Sequence, residues 1–428
     1  MKTITEVKRP LRGELRVPGD KSIGHRAVIF ASVAQGRSRV VNLSTGEDNS
    51  RTVEAFKELG VAIQKDGEAL CVDGKGWDGL CPPRQVIDCG NSGTTMRLLS
   101  GVLAGRSFVA TLDGDASLRR RPMQRIIDPL GRMGARILSQ NGKGCAPLEI
   151  HGGRLRGIHY VSPVASAQVK SAVILAGLQA EGATVVEEPQ QSRDHTEIMA
   201  RAFGAEISVR GKSISVTGCR GLSAREVRVP GDLSSAAFFL VAAALAPGSV
   251  VLVQDVGCNP TRNGVLEVLR RMGASIEILN PREESGEPVA DLRVTGGKLT
   301  GVGIGPEMVA RTIDEYPILA VAGALAEGAT TIAGARELRY KESDRIAVMA
   351  GELRKLGVRV EEREDGMVIE GRERLQGGQV KTYGDHRVAM ALAVAGLFAE
   401  GGVGIDDSAC ADISFPGFFE FLEGLCRS

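Results

Sequence analysis

"RVPGDKS" runs from Arg16 to Ser22 and "RVPGDLS" from Arg228 to Ser234, about half a chain apart in 428 residues. A phrase repeated at that distance marks two copies of one plan, and internal repeats govern the fold before any local feature does. A finer repeat lies inside each copy: "LGVAI" (Leu59 to Ile63), "MGARI" (Met133 to Ile137), "FGAEI" (Phe203 to Ile207), "MGASI" (Met272 to Ile276) and "LGVRV" (Leu356 to Val360). The Gly of each suits a helix end, where a left-handed residue without a Cβ stops the helix. A short strand follows each one ("LCVDG", "LEIHG", "ISVTG", "LRVTG", "MVIEG"), and its period-two alternation predicts one buried face.

Two helices precede each phrase. The first is Ala-rich and apolar nearly all round, as in "SSAAFFLVAAALAPG" (Ser234 to Gly248) and "VKSAVILAGLQAEG" (Val169 to Gly182), so it belongs in an interior. The second is amphipathic: Ile346, Met349, Leu353 and Leu356 recur three or four apart with charges between them, which places it outside the first. Starting points near Lys21, Ser92, Gln168, Leu233, Asp314 and His386 give six βαβαββ units of about 70 residues each. The expected class is α/β, two similar domains of three units around buried helices. The sixth unit lacks a closing strand, and "TITEVKRPLRGELRVPG" aligns with "SVTGCRGLSAREVRVPG", which closes the third. Residues 1–18 are therefore expected with 230–428 in one domain and 19–229 in the other, with a hinged cleft where the chain crosses twice.

Composition excludes several classes. Lys plus Arg number 53 against 52 acids, so no overall field favours nucleic acid or an anionic membrane, and anion binding must be local. "MKTITEVKRPLRGEL" has no signal-peptide core, and the apolar helices are too interrupted to span a bilayer, so a cytoplasmic protein is expected. Eight scattered cysteines and five histidines form no CxxC pair and no zinc-like spacing, so buried or incidental thiols are expected and no metal site.

The chemistry-bearing residues gather at the starts of the interior helices: Lys21 and Arg26 in "GDKSIGHR", Arg97 in "GNSGTTMR", Lys341 and Arg345 in "YKESDR", Arg387 in "YGDHR", with Arg119, Arg120 and Arg121 in "LRRRP". Ser22, Asn91, Ser92, Thr94, Ser166 and Gln168 accompany them. Guanidinium forks, hydroxyls and helix N-termini together suit phosphate and carboxylate oxygens, so a small anionic substrate is expected. A charged helix start is commonly only a solvated cap. The asymmetry between Lys21 and Leu233 in otherwise equivalent turns argues for a use beyond structure. "CGNSGTT" lacks the GK[ST] ending and the dinucleotide spacing, which argues against ATP or NAD. Asp314, Glu315 and Glu342 are acids beside these cations, suited either to proton transfer or to ion pairing.

"PGDKSIGHR", "GNSGTTMRLL", "LRRRPM", "SAQVKSA", "SRDHTE", "YKESDR" and "YGDHRVAM" occur in the order of the motifs of the 5-enolpyruvylshikimate-3-phosphate synthase family, and the resemblance covers essentially the whole chain. It implies an inside-out α/β barrel of two domains and transfer of the enolpyruvyl group of phosphoenolpyruvate to the 5-hydroxyl of shikimate 3-phosphate, in chorismate biosynthesis. By the same resemblance Asp314 takes the hydroxyl proton, Glu342 protonates the methylene carbon, and Lys21 lies between the substrates. Gly93, Arg121, Gln168, Arg345 and Arg387 match phosphoenolpyruvate contacts. Ser22, Arg26, Ser166, Ala167, Gln168, Ser192, Asp314 and Lys341 match contacts to shikimate 3-phosphate. No cofactor is implied, and a monomer is the expectation.

Departures are specific. Ile413 stands where many members carry a lysine, Glu337 where some have Asn, Ala167 in place of one serine of a pair, and His195 where some have Tyr; "SAQVK" with "SRDHT" resembles the second, more divergent branch. UDP-N-acetylglucosamine enolpyruvyl transferase is the nearest alternative, but the loop "DGDASLRRRP" lacks the cysteine that family carries before its Arg-Pro. A non-enzymatic binding protein on the same scaffold is the other alternative, and it would have no need of Asp314 or Glu342 as acids.

Overall fold

The helix Leu233–Leu245 buries twelve of its thirteen residues, polar Ser234 and Ser235 included, and it sets the pattern for five others. Those are Lys21–Val33, Gly93–Leu103, Ala167–Gly177, Tyr316–Ala324 and His386–Gly396, each the interior helix of one module. The computed structural model describes residues 2–219 and 221–427; the outermost domain ends expected from the sequence, Met1 and Ser428, lie outside that range. The chain divides into two compact units, Gly19–Val229 with Glu283–Glu287, and Met1–Pro18 with Pro230–Arg282 and Pro288–Ser428.

In the Gly19–Val229 unit each interior helix leads into a strand, an outer helix and a hairpin. The first module runs Lys21–Val33, Gln35–Val41, Glu47–Glu58, then Ala62–Asp66 paired antiparallel with Ala69–Lys75. The second and third repeat it and end in the hairpins Arg136–Ser139 with Leu148–His151 and Ile207–Arg210 with Ser213–Thr217. Each four-stranded sheet also receives one parallel edge strand, and that of the first module, Glu226–Arg228, comes from beyond the third. The three modules thus close on one another. Helices Gly93–Leu103 and Ala167–Gly177 approach until a Cβ on Gly101 would lie 2.3 Å from the Ala172 carbonyl oxygen, so no other residue fits there.

The second unit repeats the plan, and its N-terminal strands complete it. Lys2–Ile4 pairs antiparallel with Ala399–Ile405, and Arg12–Arg16 runs parallel to Val250–Gly257. Phe239 of the helix Leu233–Leu245 meets Phe415 and Phe418 at ring separations of 5.8 and 5.5 Å, which ties the last module to the unit's core. Each such contact adds about 1 kcal/mol beyond area burial.

The glycines of the repeated phrase all adopt positive φ: Gly60, Gly134, Gly204, Gly273 and Gly357 at 85, 116, 95, 95 and 81°. A side chain there would strain the turn from outer helix to hairpin. The amphipathic stripe also takes its expected place, with Ile346, Met349, Leu353 and Leu356 all 1% exposed or less. One helix starts later than the sequence spacing suggests. Asp314 lies in the turn between Val309–Thr312 and Tyr316–Ala324, because Pro317, which has no N–H, is at home only in a first helical turn.

Candidate active site

Lys21 opens its helix because Asp20 caps it: Asp20 Oδ1 accepts from Ile23 N at 2.9 Å. Gly19 lets the preceding turn approach, since a Cβ there would sit 1.8 Å from the Asn42 carbonyl oxygen. Lys21 Nζ pairs with Asp48 Oδ2 at 2.7 Å, with both side chains partly exposed at 17 and 10%. The twin turn is built alike and filled differently. Asp232 Oδ1 accepts from Ser234 N at 3.0 Å, but Leu233 is fully buried and the Arg262 guanidinium binds Asp232 Oδ1 and Ser234 Oγ from inside.

Gly93 begins the next interior helix, capped by Ser92 Oγ, which accepts from Thr95 N. A Cβ on Gly93 would lie 2.9 Å from Arg97 Nη1 and 3.3 Å from Arg121 Nη1, so its bareness leaves room for two guanidiniums. Arg121 Nη2 donates to Asn91 Oδ1 at 2.6 Å and reaches Ser117 Oγ at 3.5 Å. Arg97 Nη1 donates to Gln168 Oε1, whose amide nitrogen donates to Thr94 Oγ1 at 2.8 Å. Arg97, Arg121 and Gln168 therefore form one cluster, with Gly93 at its base.

Ser166 caps the helix Ala167–Gly177 by accepting from Val169 N, which sets Ala167 and Gln168 on its first turn. Ser192 is 4% exposed and donates to Glu188 Oε1 at 2.5 Å. Glu188 in turn binds Lys170 at 2.8 Å, and Lys170 binds Glu197 at 2.7 Å, a buried charge network below Ser192. Burial raises the Glu197 carboxyl against the pull of Lys170. Each nitrogen of Arg26 donates once to the protein: to Thr196 Oγ1 at 2.6 Å, Ser171 Oγ at 2.7 Å and the Ser22 carbonyl at 2.8 Å. Its burial brings the guanidinium down to about 10. Ser22 Oγ accepts from Arg193 at 3.4 Å, a cation that sequence reasoning passed over although it stands in "SRDHTE". His195 is fully buried, its Nδ1 2.7 Å from Glu287 Oε1.

In the other unit one carboxylate is ringed by cations. Asp314 lies 3.5 Å from Lys341 Nζ, 3.8 Å from Arg345 Nη1 and 3.9 Å from Arg387 Nη2. Glu342 Oε2 accepts from Arg345 Nη2 at 2.8 Å. Arg345 is 2% exposed and is held by Asp385, which accepts from Nε at 2.8 Å and Nη2 at 3.2 Å. Burial opposes the charge on Arg345, but Asp385, Glu342 and Asp314 outweigh it and raise its pKa above the usual guanidinium value. Asp385 also caps the helix His386–Gly396 through Arg387 N at 2.9 Å, and so positions Arg387. Ile413 ends the 3-10 turn Ala409–Ile413 half-buried, and Glu337 is exposed.

Sequence reasoning missed Asp48 and Asp385. The signal for Asp385 was present: "GD" precedes the interior helices at Asp20, Asp232 and Asp385, and the last two also turn the capping carboxylate to an arginine, Arg262 and Arg345. One unit offers a primary ammonium on a carboxylate partner and a guanidinium cluster for anionic oxygens, and the other offers two carboxylates set among three cations. These groups suit acid–base chemistry on a small polyanion. Among the described residues no group of three or more His, Cys, Asp or Glu is placed to hold a metal ion.

A family model described as EPSP synthase (3-phosphoshikimate 1-carboxyvinyltransferase) matches residues 5–422. The chain is 54% identical over 413 residues to the 3-phosphoshikimate 1-carboxyvinyltransferase of Geobacter metallireducens, covering 96% of each. It is 53% identical over 415 residues to that of Geobacter sulfurreducens, covering 97% of each. The solved EPSP synthase of Acinetobacter baumannii superposes with a TM-score of 0.88 at 44% identity, over 99% of this chain and 97% of that one. The enolpyruvyl transferase NikO from Streptomyces tendae shares the fold, with a TM-score of 0.79 at 19% identity over 99 and 96%.

Proposed function

This chain belongs to the EPSP synthase family, and from that membership we infer its reaction: transfer of the enolpyruvyl group of phosphoenolpyruvate to the 5-hydroxyl of shikimate 3-phosphate, with release of phosphate. The observation that carries the assignment of roles is Asp314, one carboxylate with three cations within 3.9 Å and a second carboxylate, Glu342, on one of them.

Addition to the enol ether needs a proton at the methylene carbon and loss of one from the attacking hydroxyl. Elimination then reverses the traffic and expels phosphate. We propose Asp314 as the group that takes the hydroxyl proton: it is a carboxylate set among three cations that can draw the substrate's anionic oxygens to it. Glu342 supplies the methylene proton, and its bond to Arg345 aims it. Lys21 stabilises the attacking oxygen and the leaving phosphate by charge. Arg121, Arg345 and Arg387 hold phosphoenolpyruvate, Gly93 leaves space for it and Gln168 contacts both ligands. Ser22, Arg26, Ser166, Ala167, Ser192 and Lys341 serve shikimate 3-phosphate. Arg26 does so through Ser22, whose carbonyl it holds.

Among the described residues no helix is long and apolar enough to cross a membrane. We take the enzyme to work as a cytoplasmic monomer on these two small anions, without nucleic acid. The deciding experiment measures phosphate release from phosphoenolpyruvate with and without shikimate 3-phosphate. Release that depends on the second substrate is expected. None with both present, across pH and salt, overturns the assignment.

A further inference from the structure

Lys21 and His25 stand one turn apart on the helix Lys21–Val33, as Asp48 and Thr52 do on Glu47–Glu58, and residues four apart share a helix face. The two helices are joined by two parallel rungs: Lys21 Nζ to Asp48 Oδ2 at 2.7 Å, and His25 Nδ1 to Thr52 Oγ1 at 2.6 Å. The second rung has no part in the chemistry described above, and it continues. Thr52 Oγ1 lies 2.7 Å from Thr95 Oγ1, and Thr95 Oγ1 donates to Ser92 Oγ at 2.8 Å. His25, Thr52, Thr95 and Ser92 are each 1% exposed or less.

Counting protons gives this chain a direction. Thr95 has one hydroxyl proton; either hydroxyl of the Thr52–Thr95 pair could donate, and we assign the Thr95 proton to Ser92 Oγ at 2.8 Å, with the Asp48 carbonyl at 3.4 Å as a second acceptor. The hydroxyl of Thr52 must then donate to Thr95, which leaves His25 to donate to Thr52 from Nδ1. Nε2 is left unprotonated, and it is buried without a hydrogen-bond partner. A second proton would place an N–H where nothing accepts it. Burial pushes the imidazole down to about 3, in keeping with a ring that stays neutral.

The relay ends at the cap of the helix Gly93–Leu103, on the turn whose Asn91 accepts from Arg121 and whose Gly93 faces two guanidiniums. We propose that His25 is a positioning residue for the transfer reaction: as a neutral Nδ1–H imidazole it aligns the Thr52–Thr95–Ser92 relay and holds the Asn91–Gly93 turn, with Arg121, in place relative to Lys21. The proposal rests on the site reading above.

The test compares wild type with His25→Leu, which fills the space without a donor, His25→Asn, which keeps a donor near Nδ1, and Thr52→Val, which cuts the relay one link later. Full steady-state kinetics, thermal melts and shikimate 3-phosphate binding without phosphoenolpyruvate are recorded for each. His25→Leu and Thr52→Val are expected to raise KM for phosphoenolpyruvate about tenfold and lower kcat several-fold, with shikimate 3-phosphate binding unchanged within about twofold. His25→Asn is expected to recover most of the loss. Variants that melt lower but keep wild-type KM and kcat overturn the proposal and reduce His25 to packing. Should a variant fail to fold, nitrogen-15 spectra of histidine-labelled wild type decide: a buried ring neutral and Nδ1-protonated from about pH 5 to about pH 8 is expected, and an Nε2-protonated or charged His25 refutes it. A wild-type protein with no turnover overturns the function reading instead, and the spectra still judge the relay.

Discussion

Asp385 grips Arg345 with both carboxylate oxygens, Nε to Oδ2 at 2.8 Å and Nη2 to Oδ1 at 3.2 Å, and neither side chain is more than 1% exposed. One carboxylate thereby fixes an arginine, caps the helix His386–Gly396 and aims Arg387. Asp385→Asn keeps an acceptor for the cap and removes the charge. Breaking one side of a buried pair costs about 3 kcal/mol, and KM for phosphoenolpyruvate is expected to rise with it.

The pH dependence of that loss has a definite sign. Burial alone would raise the Asp385 carboxyl, but Arg345 overrides it and holds it below the usual carboxylate range. A group depressed in the folded state stabilises fully above its unfolded value of about 3.9 and less as pH falls through the folded value. The stability gap between wild type and Asp385→Asn, measured by urea unfolding, is therefore expected to be full near pH 7 and to shrink below about pH 4. A gap that widens in acid contradicts the pairing.

Lys21→Met removes the ammonium and keeps the aliphatic stem. The helix start depends on Asp20 rather than on Lys21, so folding is expected to survive with a Tm within about 3 °C of wild type. Turnover is expected to fall by about a thousandfold or more, the scale of losing one group that meets developing charge. Phosphate release at the wild-type rate would remove Lys21 from the chemistry.

Asp314→Asn and Glu342→Gln separate a catalyst from a binding protein on the same scaffold. Turnover is expected to drop about 100- to 10,000-fold in each, while Glu342→Gln keeps shikimate 3-phosphate binding in calorimetry within about tenfold. Asp314→Asn also leaves Lys341, Arg345 and Arg387 without their shared carboxylate, so some loss of affinity accompanies it. Turnover unchanged in both variants would disqualify the two acids.

The fold was legible because its repeat rests on short-range physics. A left-handed Gly after an amphipathic stripe fixes the helix end, and apolar residues all round fix the interior helix, so both survive in the sequence as patterns. The site was legible only in part. Cations at helix starts stand out by their position, but what holds them depends on tertiary approach. Asp48 sits in "GEDNS", which reads as an ordinary acidic first turn, and its bond to Lys21 exists only because two helices meet there. Arg26 reads as a ligand in the motif, and the three bonds that fix its guanidinium go to Thr196, Ser171 and Ser22, acceptors up to 170 residues away along the chain.

The contrast between the twin turns gives a test in which stability and activity part. In the Leu233 copy the space before the helix is closed by Arg262, buried at 2% exposure and bound to Asp232 and Ser234, and Ser234 donates on to Glu315. Nothing in this network belongs to the proposed chemistry, so Arg262→Met is expected to cost about 3 kcal/mol of stability by leaving Asp232 buried and unpaired. Below its melting range the variant is expected to keep kcat within about twofold. Adding Asp232→Ser retains a helix cap without the stranded charge, and the double variant is expected to regain part of the loss, a coupling the double-mutant cycle reads directly. Arg262→Met with normal stability and abolished turnover would instead mean that the second turn has kept a catalytic use of its own.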